Sequence, residues 1–439
     1  MQAGPVRTRK AGRIGIVAMA HPPANALDAT LRAALADAVD DMAGNDEVAA
    51  IVLAADGAPF STGLDIRAMD RPGEVEALAR LCARIENCPK PVVAALTGAA
   101  LGGGAELAMA AHWRLAPEGA VIGLPDIALG LVPGAGGTQR LARIAGPRAA
   151  LRMLLSGRPL GAAEAREVGL IDGIVAGDAV SGAVALAETL AAEGKAPRRS
   201  GSRRDRIADG RAALDAVAAA RMTARTDAAI RMVDCVEAAV LLPAGTALAF
   251  EAEAHATLRD GDDSRALRHL FVAERRIDAG LLRVENGTRL PTDAGRAIVD
   301  RLFAAQDAAI VALVAAGVPE TRIDGAMVAY GYVTGPFGGT QAVPGADDAA
   351  RRITGALLAE GARLLERGTV ARSDDIDALA VHGMGFPRAR GGPMMAAEIA
   401  GLPELRRDLS AWSREDAVWA VSGPLDRASR VAGGFSAAD

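Results

Sequence analysis

The chain has little excess charge of either sign, no long apolar run and few cysteines. At 439 residues it carries a net charge of −5 with a pI near 5.7, so no overall field attracts nucleic acid. Gly or charged residues interrupt every apolar run before it reaches membrane-spanning length, and no apolar stretch follows the charged start of the chain. We therefore expect neither nucleic-acid binding, a membrane span nor a signal peptide. Lysine is also rare, so arginine is abundant by compositional bias and no single Arg has special weight.

The cysteines are scattered rather than paired. Cys82, Cys88 and Cys235 lack metal-ligand spacing, and the histidines lack it as well. Unpaired cysteines are typical of a reducing compartment. We therefore expect no metal site and a cytoplasmic location.

The first half of the chain alternates two hydrophobic patterns. Because 51% of the residues are apolar, the chain can bury a sizeable core. Short apolar runs predict strands, and apolar positions at i, i+3 and i+4 predict helices between them. This alternation predicts an α/β domain with a buried sheet. The predicted strands are 12–20, 49–55 and 91–98, and the helices are 31–43 and 74–88.

The second half is different in pattern. The Arg-, Ser- and Gly-rich run 195–206 predicts an exposed connector, after which the pattern is helical and no further strand is evident. Segments 308–336 and 361–393 form a weak internal repeat, in which Asp324 and Asp377 occupy positions suited to a helix N-cap or a first-turn acid. Two related helical modules follow from this repeat, and we assign them to packing and dimer formation rather than to chemistry.

Two acids adjoin glycine-rich segments. Glu106 follows the glycine triplet 102–104, and Asp126 precedes the glycine-rich run 134–137. The small residues 61–63 also follow a predicted strand, so amides of both segments can point outward at strand ends. Two carboxyl groups beside unobstructed N–H donors are what proton transfer next to a polarised carbonyl requires. The sequence therefore predicts an enzyme.

Five motifs follow one another along the chain: PPANALD (22–28), FSTGLDI (60–66), GAALGGGAELAMA (98–110), GLPDIALGLVPGAGGTQRL (123–141) and SGRPLGAAEAREVGLIDGIV (156–175). In this order they resemble the crotonase or enoyl-CoA hydratase superfamily. The similarity extends further to the bifunctional fatty-acid oxidation proteins of that superfamily, since segment 235–276 is similar to their helical connector. The resemblance implies an α/β crotonase domain of ββα repeats, followed by all-α modules like the C-terminal domain of 3-hydroxyacyl-CoA dehydrogenases.

The resemblance implies a role for each motif residue. It makes Glu106 and Asp126 the acid/base pair and the N–H groups of Thr62 and Gly103 the oxyanion hole for a thioester oxygen. The hydratases usually carry Glu where this chain has Asp126, which is one methylene shorter. The resemblance also implies that Ala26, Gly63 and Gly134 bind substrate, with Gly134 near the water or the β-carbon.

Three functions are compatible with these residues. The first is reversible hydration of 2-enoyl-CoA to 3-hydroxyacyl-CoA, which uses both carboxyl groups. The second is isomerisation of 3-enoyl-CoA to 2-enoyl-CoA or another thioester-enolate reaction, for which one carboxyl group suffices. The third is an acyl-CoA-binding scaffold subunit of an oxidation complex. Glu106 favours hydration, because dedicated isomerases of the family commonly lack an acid at that position.

The connector leads directly into the helical modules. No Gly-x-Gly-x-x-Gly fingerprint follows a strand, so we expect no NAD cofactor and no dehydrogenase activity. The expected partners are an acyl-CoA substrate, a second copy of the chain in a homo-oligomer, and other oxidation enzymes. The predicted domains are a crotonase core at 1–195, a basic linker and helical connector at 196–280 that completes the crotonase domain, and helical modules at 281–345 and 346–439.

Overall fold

A computed structural model describes residues 4–69, 71, 73–343, 345 and 347–435. Contacts divide the chain into two compact units, 1–260 and 261–439. The boundary lies inside the predicted connector, so residues 261–280 belong to the second unit. The predicted domain bounds at residues 1, 346 and 439 lie outside the described residues.

The first unit is an α/β structure with two sheets. A six-stranded sheet has the order β1-β2-β3-β4-β6-β9, in which β1 is antiparallel to β2 and the other neighbours are parallel. A three-stranded sheet has the order β5-β7-β8. The strands are β1 (Val6–Ala11), β2 (Ile14–Met19), β3 (Ala50–Ala55), β4 (Val92–Ala95), β5 (Ala100–Leu101), β6 (Trp113–Pro117), β7 (Val121–Gly123), β8 (Leu160–Gly161) and β9 (Gly173–Val175).

In the described residues of the first unit, ten helices accompany these sheets. Short 3-10 turns at Ile66–Ala68, Asp126–Leu129 and Ser200–Ser202 interrupt the loops. The helices are α1 (Ala29–Gly44), α2 (Glu74–Glu86), α3 (Gly103–Ala110), α4 (Gly137–Ala145), α5 (Pro147–Ser156), α6 (Ala162–Glu167), α7 (Ala179–Ala192), α8 (Gly210–Arg221), α9 (Asp227–Leu241) and α10 (Ala244–Arg259).

The large sheet is buried on both faces. In β3, Val52 belongs to the hydrophobic cluster beneath α7, whereas Ile51 and Leu53 belong to the larger cluster on the opposite face. The sequence of a strand that is buried on both faces is a continuous apolar run rather than an alternating pattern. The three predicted strands are confirmed as β2, β3 and β4, and the two predicted helices as α1 and α2.

The sequence prediction missed the first strand. Segment Val6–Ala11 is charged, yet it pairs with β2 from Val6 opposite Met19 to Ala11 opposite Ile14. An edge strand needs only one paired side and tolerates charged residues facing water. The apolar pattern used for the other strands is consequently absent here.

The second unit is mainly helical around its own hydrophobic cluster. Both predicted modules contribute to this cluster, which includes residues from Leu270 to Phe435. Its elements are α11 (Asp262–Arg276), β10 (Leu282–Glu285), β11 (Thr288–Pro291), α12 (Asp293–Ala315), α13 (Glu320–Tyr330), α14 (Asp347–Glu366), α15 (Ser373–Met384), α16 (Pro393–Ala400), α17 (Leu402–Trp412) and α18 (Gly423–Ala428), with 3-10 turns at Arg388–Arg390 and Ala417–Trp419.

The expectation of no further strands was wrong. Strands β10 and β11 form an antiparallel hairpin, with Glu285 opposite Thr288. Asn286 and Gly287 at its turn both have positive φ, 49° and 78°. An Asn-Gly pair adopts this conformation readily and is a strong signal for a two-residue hairpin.

The repeated aspartates have a role different from the predicted one. Helix α13 begins at Glu320 and α15 at Ser373, so Asp324 and Asp377 lie one turn inside their helices rather than at the start. Both are buried: Asp324 accepts backbone N–H groups from the glycine-rich segment after α13, and Asp377 accepts those of Met394 and Met395 at the start of α16. These carboxylates therefore bind the backbone that follows their helices instead of capping the N-termini of their own helices.

Candidate active site

Three backbone segments meet beside the start of α3. Leu101 N–H donates to the Ser61 carbonyl at 3.0 Å, and Leu27 N–H donates to the Gly63 carbonyl at 2.8 Å. Ser61 Oγ also donates to the Asn25 carbonyl at 2.8 Å. The predicted substrate-binding residues Ala26 and Gly63 are thus brought to one place.

Gly63 approaches the glycine triplet very closely. Its φ of +87° favours glycine, and a Cβ at this position would lie 2.7 Å from Gly103 N and 2.8 Å from Leu101 O. A Cβ on Gly104 would lie 2.3 Å from Ser61 O. The glycines are therefore required by backbone packing, and this packing places residues 63–64 against the N-terminus of α3.

Thr62 does not supply a free amide, which corrects its predicted role. Its N–H donates to the Ala24 carbonyl at 3.1 Å. The next candidate along the chain is Leu64, whose N lies 3.4 Å from the Cβ position of Gly103. Within the described part of the chain, the N–H groups of Leu64 and Gly103 have no hydrogen-bond acceptor.

Glu106 lies in the first turns of α3 and is buried. Its Oε1 accepts the N–H of Ala135 at 2.7 Å and of Gly137 at 2.9 Å. Burial raises the pKa of Glu106 to about 8, and the negative charges of Glu251 and Asp126 add to the shift. No described residue donates a hydrogen bond to Oε2, so this oxygen is available for proton transfer.

Asp126 begins the 3-10 turn Asp126–Leu129 directly after Pro125. It is buried, and its Oδ2 has no hydrogen-bond partner among the described residues. Burial raises the pKa of Asp126 to about 7, with a further contribution from the charge of Glu251. The structure therefore brings both predicted acids into electrostatic contact, each with a raised pKa.

A third buried carboxyl group, Glu251, was not predicted. It lies on α10, and its Oε1 accepts the N–H of Gly136 at 2.5 Å while its Oε2 accepts that of Thr138 at 2.8 Å. Burial raises the pKa of Glu251, and the hydrogen bonds from Thr138 and Gly136 oppose this shift. The signal for it was a Glu on the buried face of α10, between Ala247 and Ala254.

Two further side chains hold the loop that carries these N–H donors. Arg140 Nη1 donates to the Ala135 carbonyl at 2.6 Å while its Nη2 pairs with Glu86 at 2.9 Å. His255 Nδ1 lies 2.6 Å from the Val132 carbonyl oxygen. The loop is therefore fixed by side chains from α2, α4 and α10.

Gly134 lies in the same loop, close to α10. A Cβ at this position would lie 2.6 Å from Val75 Cγ1 and 2.7 Å from His255 Cγ. A larger residue would therefore displace a helix that covers the loop. Its role in holding water or the β-carbon stays a prediction.

Residues 9–200 match the profile of the enoyl-CoA hydratase/isomerase family. This segment is an enoyl-CoA hydratase/isomerase domain. The hydratase/isomerase domain has the crotonase fold, as the motifs predicted. Its matched range ends before α10, so Glu251 lies outside it.

Similar proteins include both larger and smaller members. A peroxisomal bifunctional enzyme of Danio rerio is 34% identical over 266 residues, which cover 60% of this chain and 37% of the relative. A probable enoyl-CoA hydratase of Bacillus subtilis is 41% identical over 165 residues, covering 36% of this chain and 64% of the relative. The chain therefore spans less than two fifths of the length of the bifunctional relative.

Solved structures of similar proteins carry related names. An enoyl-CoA hydratase from Mycobacterium avium subsp. paratuberculosis K-10 is 24% identical, with a TM-score of 0.46, and the match covers 62% of this chain and 96% of that one.

Several sequence relatives are named peroxisomal or glyoxysomal, and the cytoplasmic location predicted for this chain stays a prediction. Among the residues that the structure describes, no helix combines the length and apolarity needed to span a membrane.

Proposed function

We propose that the hydratase/isomerase domain catalyses the reversible hydration of 2-enoyl-CoA to 3-hydroxyacyl-CoA, with Glu106 and Asp126 as its acid/base pair. The observation that carries this proposal is the pair of buried carboxyl groups, each with an oxygen that accepts no hydrogen bond from described residues. Such oxygens are free to hold a water molecule.

The raised pKa values suit this chemistry. The pKa of Glu106 is about 8 and that of Asp126 about 7, so near neutral pH the pair contains both protonated and ionised carboxyl groups. A general acid and a general base are then present together.

The oxyanion hole is proposed to consist of the N–H groups of Gly103 and Leu64. Gly103 is the first residue of α3, and the positive end of that helix favours developing negative charge. Leu64 N replaces Thr62 N in this role because the Thr62 N–H donates to Ala24. Two such donors would stabilise the enolate oxygen of a thioester.

Hydration then proceeds without any other reactant. The ionised carboxylate takes a proton from water as the water oxygen bonds to the β-carbon of the enoyl group. The electrons of the double bond move to the α-carbon and the thioester oxygen as an enolate, and the protonated carboxyl group delivers its proton to the α-carbon. The product is 3-hydroxyacyl-CoA, and the two carboxyl groups have exchanged protonation states.

The second unit is proposed to have no part in this chemistry. We propose that it is related to the C-terminal domain of 3-hydroxyacyl-CoA dehydrogenases and supports homo-oligomer formation or association with other oxidation enzymes. The 439-residue sequence contains no Gly-x-Gly-x-x-Gly segment, which supports a role without NAD.

The proposal is tested by assaying purified protein with crotonyl-CoA and with a 3-enoyl-CoA. We expect hydration of crotonyl-CoA, and in Asp126→Ala a loss of at least about 100-fold in that rate. Asp126→Glu is the matched control, because it retains the carboxyl group and should keep or raise activity. Isomerisation of 3-enoyl-CoA with no hydration, and with no effect of Asp126→Ala, would instead assign single-carboxylate chemistry to Glu106.

A further inference from the structure

Glu251 and Glu106 bind alternate N–H groups of the same turn. Glu106 Oε1 accepts from residues 135 and 137, and Glu251 accepts from residues 136 and 138. The Thr138 hydroxyl also donates to Glu251, and Gln139 N–H lies 3.3 Å from it. Two carboxyl groups from different helices therefore hold one four-residue turn from opposite directions.

The turn is built for this arrangement. Gly136 has a φ of +97°, and a Cβ there would lie 2.1 Å from Arg140 Nη1 and 3.0 Å from Leu248 Cδ2. The N–H of Gly136 donates to Glu251 on α10, whereas the N–H groups of Ala135 and Gly137 donate to Glu106 on α3. If Glu251 were lost, the N–H groups of Gly136 and Thr138 would lose their carboxylate acceptor, while those of Ala135 and Gly137 would keep Glu106.

We infer that Glu251 is a positioning residue for Glu106: it fixes the turn that orients the Glu106 carboxyl group, and the two carboxyl groups interact electrostatically. This inference deepens the proposed function and rests on it. Glu251 comes from the connector helix α10, so residues beyond the matched family range complete the site.

Several charged or titratable groups face this pair. Asp126 acts on Glu106 from the 3-10 turn, and Arg140 on α4 lowers the pKa of Glu251 against the effect of burial. Cys82 on α2 is buried and uncharged near neutral pH, since burial raises the pKa of its thiol to about 12. His255 lies on α10 one turn beyond Glu251. Of these groups, Glu251 contributes the largest charge effect on Glu106.

The test compares Glu251→Gln with Glu253→Gln, which removes an exposed charge from the same helix. Glu251→Gln should lower kcat for crotonyl-CoA hydration by at least about tenfold and leave KM within about twofold. The carboxyl titration of Glu106 is followed by ¹³C NMR on glutamate-labelled protein, with the signal assigned by its absence in Glu106→Gln. Its midpoint should fall by about one pH unit in Glu251→Gln and stay unchanged in Glu253→Gln.

An unchanged Glu106 midpoint together with an unchanged kcat would overturn the inference. If wild-type protein hydrates no enoyl-CoA, the proposed function fails while the titration still decides the link between Glu251 and Glu106. Should Glu251→Gln fail to fold, Thr138→Val removes one donor to Glu251 and keeps the side-chain shape. That variant should lower kcat by about threefold or more, and a kcat equal to wild type would contradict the inference.

Discussion

At the residue scale, the main feature of the site is that three carboxyl groups are buried, which raises their pKa values. Glu106, Asp126 and Glu251 are 3%, 7% and 0% exposed, and the pKa of each is raised. Burial favours the protonated form of a carboxyl group, and in the proposed mechanism Glu106 or Asp126 is the protonated acid near neutral pH. Ionisation of these buried carboxyl groups therefore lowers the stability of the folded protein.

Glu106 should make folding stability depend on pH. Its pKa is about 8 in the folded protein and near 4.5 in an unfolded chain, so the folded state binds more protons between these values and stability falls as pH rises through them. Glu106→Gln cannot ionise and still offers an oxygen to Ala135 and Gly137. At pH 8.5 this variant should be more stable than wild type by on the order of 4 kcal/mol, or about 8 °C in Tm, and the gain should shrink at pH 5.

Thermal melts at the two pH values measure this difference. Glu118→Gln is the control, because it removes an exposed carboxyl group of the same unit. A Glu106→Gln variant that melts below wild type at pH 8.5, or whose gain is equal at both pH values, would argue against a buried carboxyl group with a raised pKa.

The site residues differed in how far the sequence revealed them. Glu106 and Asp126 stand within local motifs and were predicted. Thr62 was misassigned because its N–H partner, the Ala24 carbonyl, is set by the tertiary pairing of two loops. Glu251 was missed because it contacts Gly136 across 115 positions of the chain, a separation that no local pattern records.

At the scale of elements, the predictable parts were those with a strong periodic pattern. Strands β2, β3 and β4 and helices α1 and α2 follow from apolar runs and helical spacing. Strand β1 is charged and β10–β11 is a short hairpin, so neither has such a run. The Asn286-Gly287 pair was a usable signal for the hairpin.

The repeated aspartates provide an element-scale prediction. Asp377 Oδ1 accepts Met394 N–H at 2.7 Å, and its Oδ2 accepts Met395 N–H at 3.1 Å and lies 2.8 Å from His269 Nε2. It thereby binds the first N–H groups of α16. Asp377→Asn loses the charge that strengthens these bonds, so it should lower the free energy of unfolding by about 2 kcal/mol.

Urea denaturation of the full chain checks this value. Asp300→Asn is the control, since Asp300 is exposed on α12 and its change should stay within about 0.5 kcal/mol. Asp324→Asn should also destabilise the chain, because Asp324 binds Phe337 and Gly339 N–H groups in the corresponding way. If the free energy of unfolding of Asp377→Asn equals that of the control, Asp377 does not stabilise the start of α16.

At the scale of the whole molecule, the chain consists of a hydratase/isomerase domain extended by α8, α9 and α10 and a separate helical unit. The loss of strand patterning indicated a helical second part, but the four predicted segments differ from the two compact units, because the end of the connector and both helical modules form one unit. The exact boundary did not follow from the sequence, because α11 carries the same helical pattern as α10 and only its contacts assign it to the second unit. The mechanism proposed here needs residues of the first unit alone.

The rate of crotonyl-CoA hydration by Glu106→Gln tests the central claim most directly. The amide keeps the volume of the side chain and can still accept the N–H bonds of Ala135 and Gly137, but it cannot exchange a proton. The variant should lose at least about 1000-fold in kcat while acyl-CoA binding stays within about tenfold of wild type. A hydration rate within about twofold of wild type would contradict the assignment of Glu106 to proton transfer.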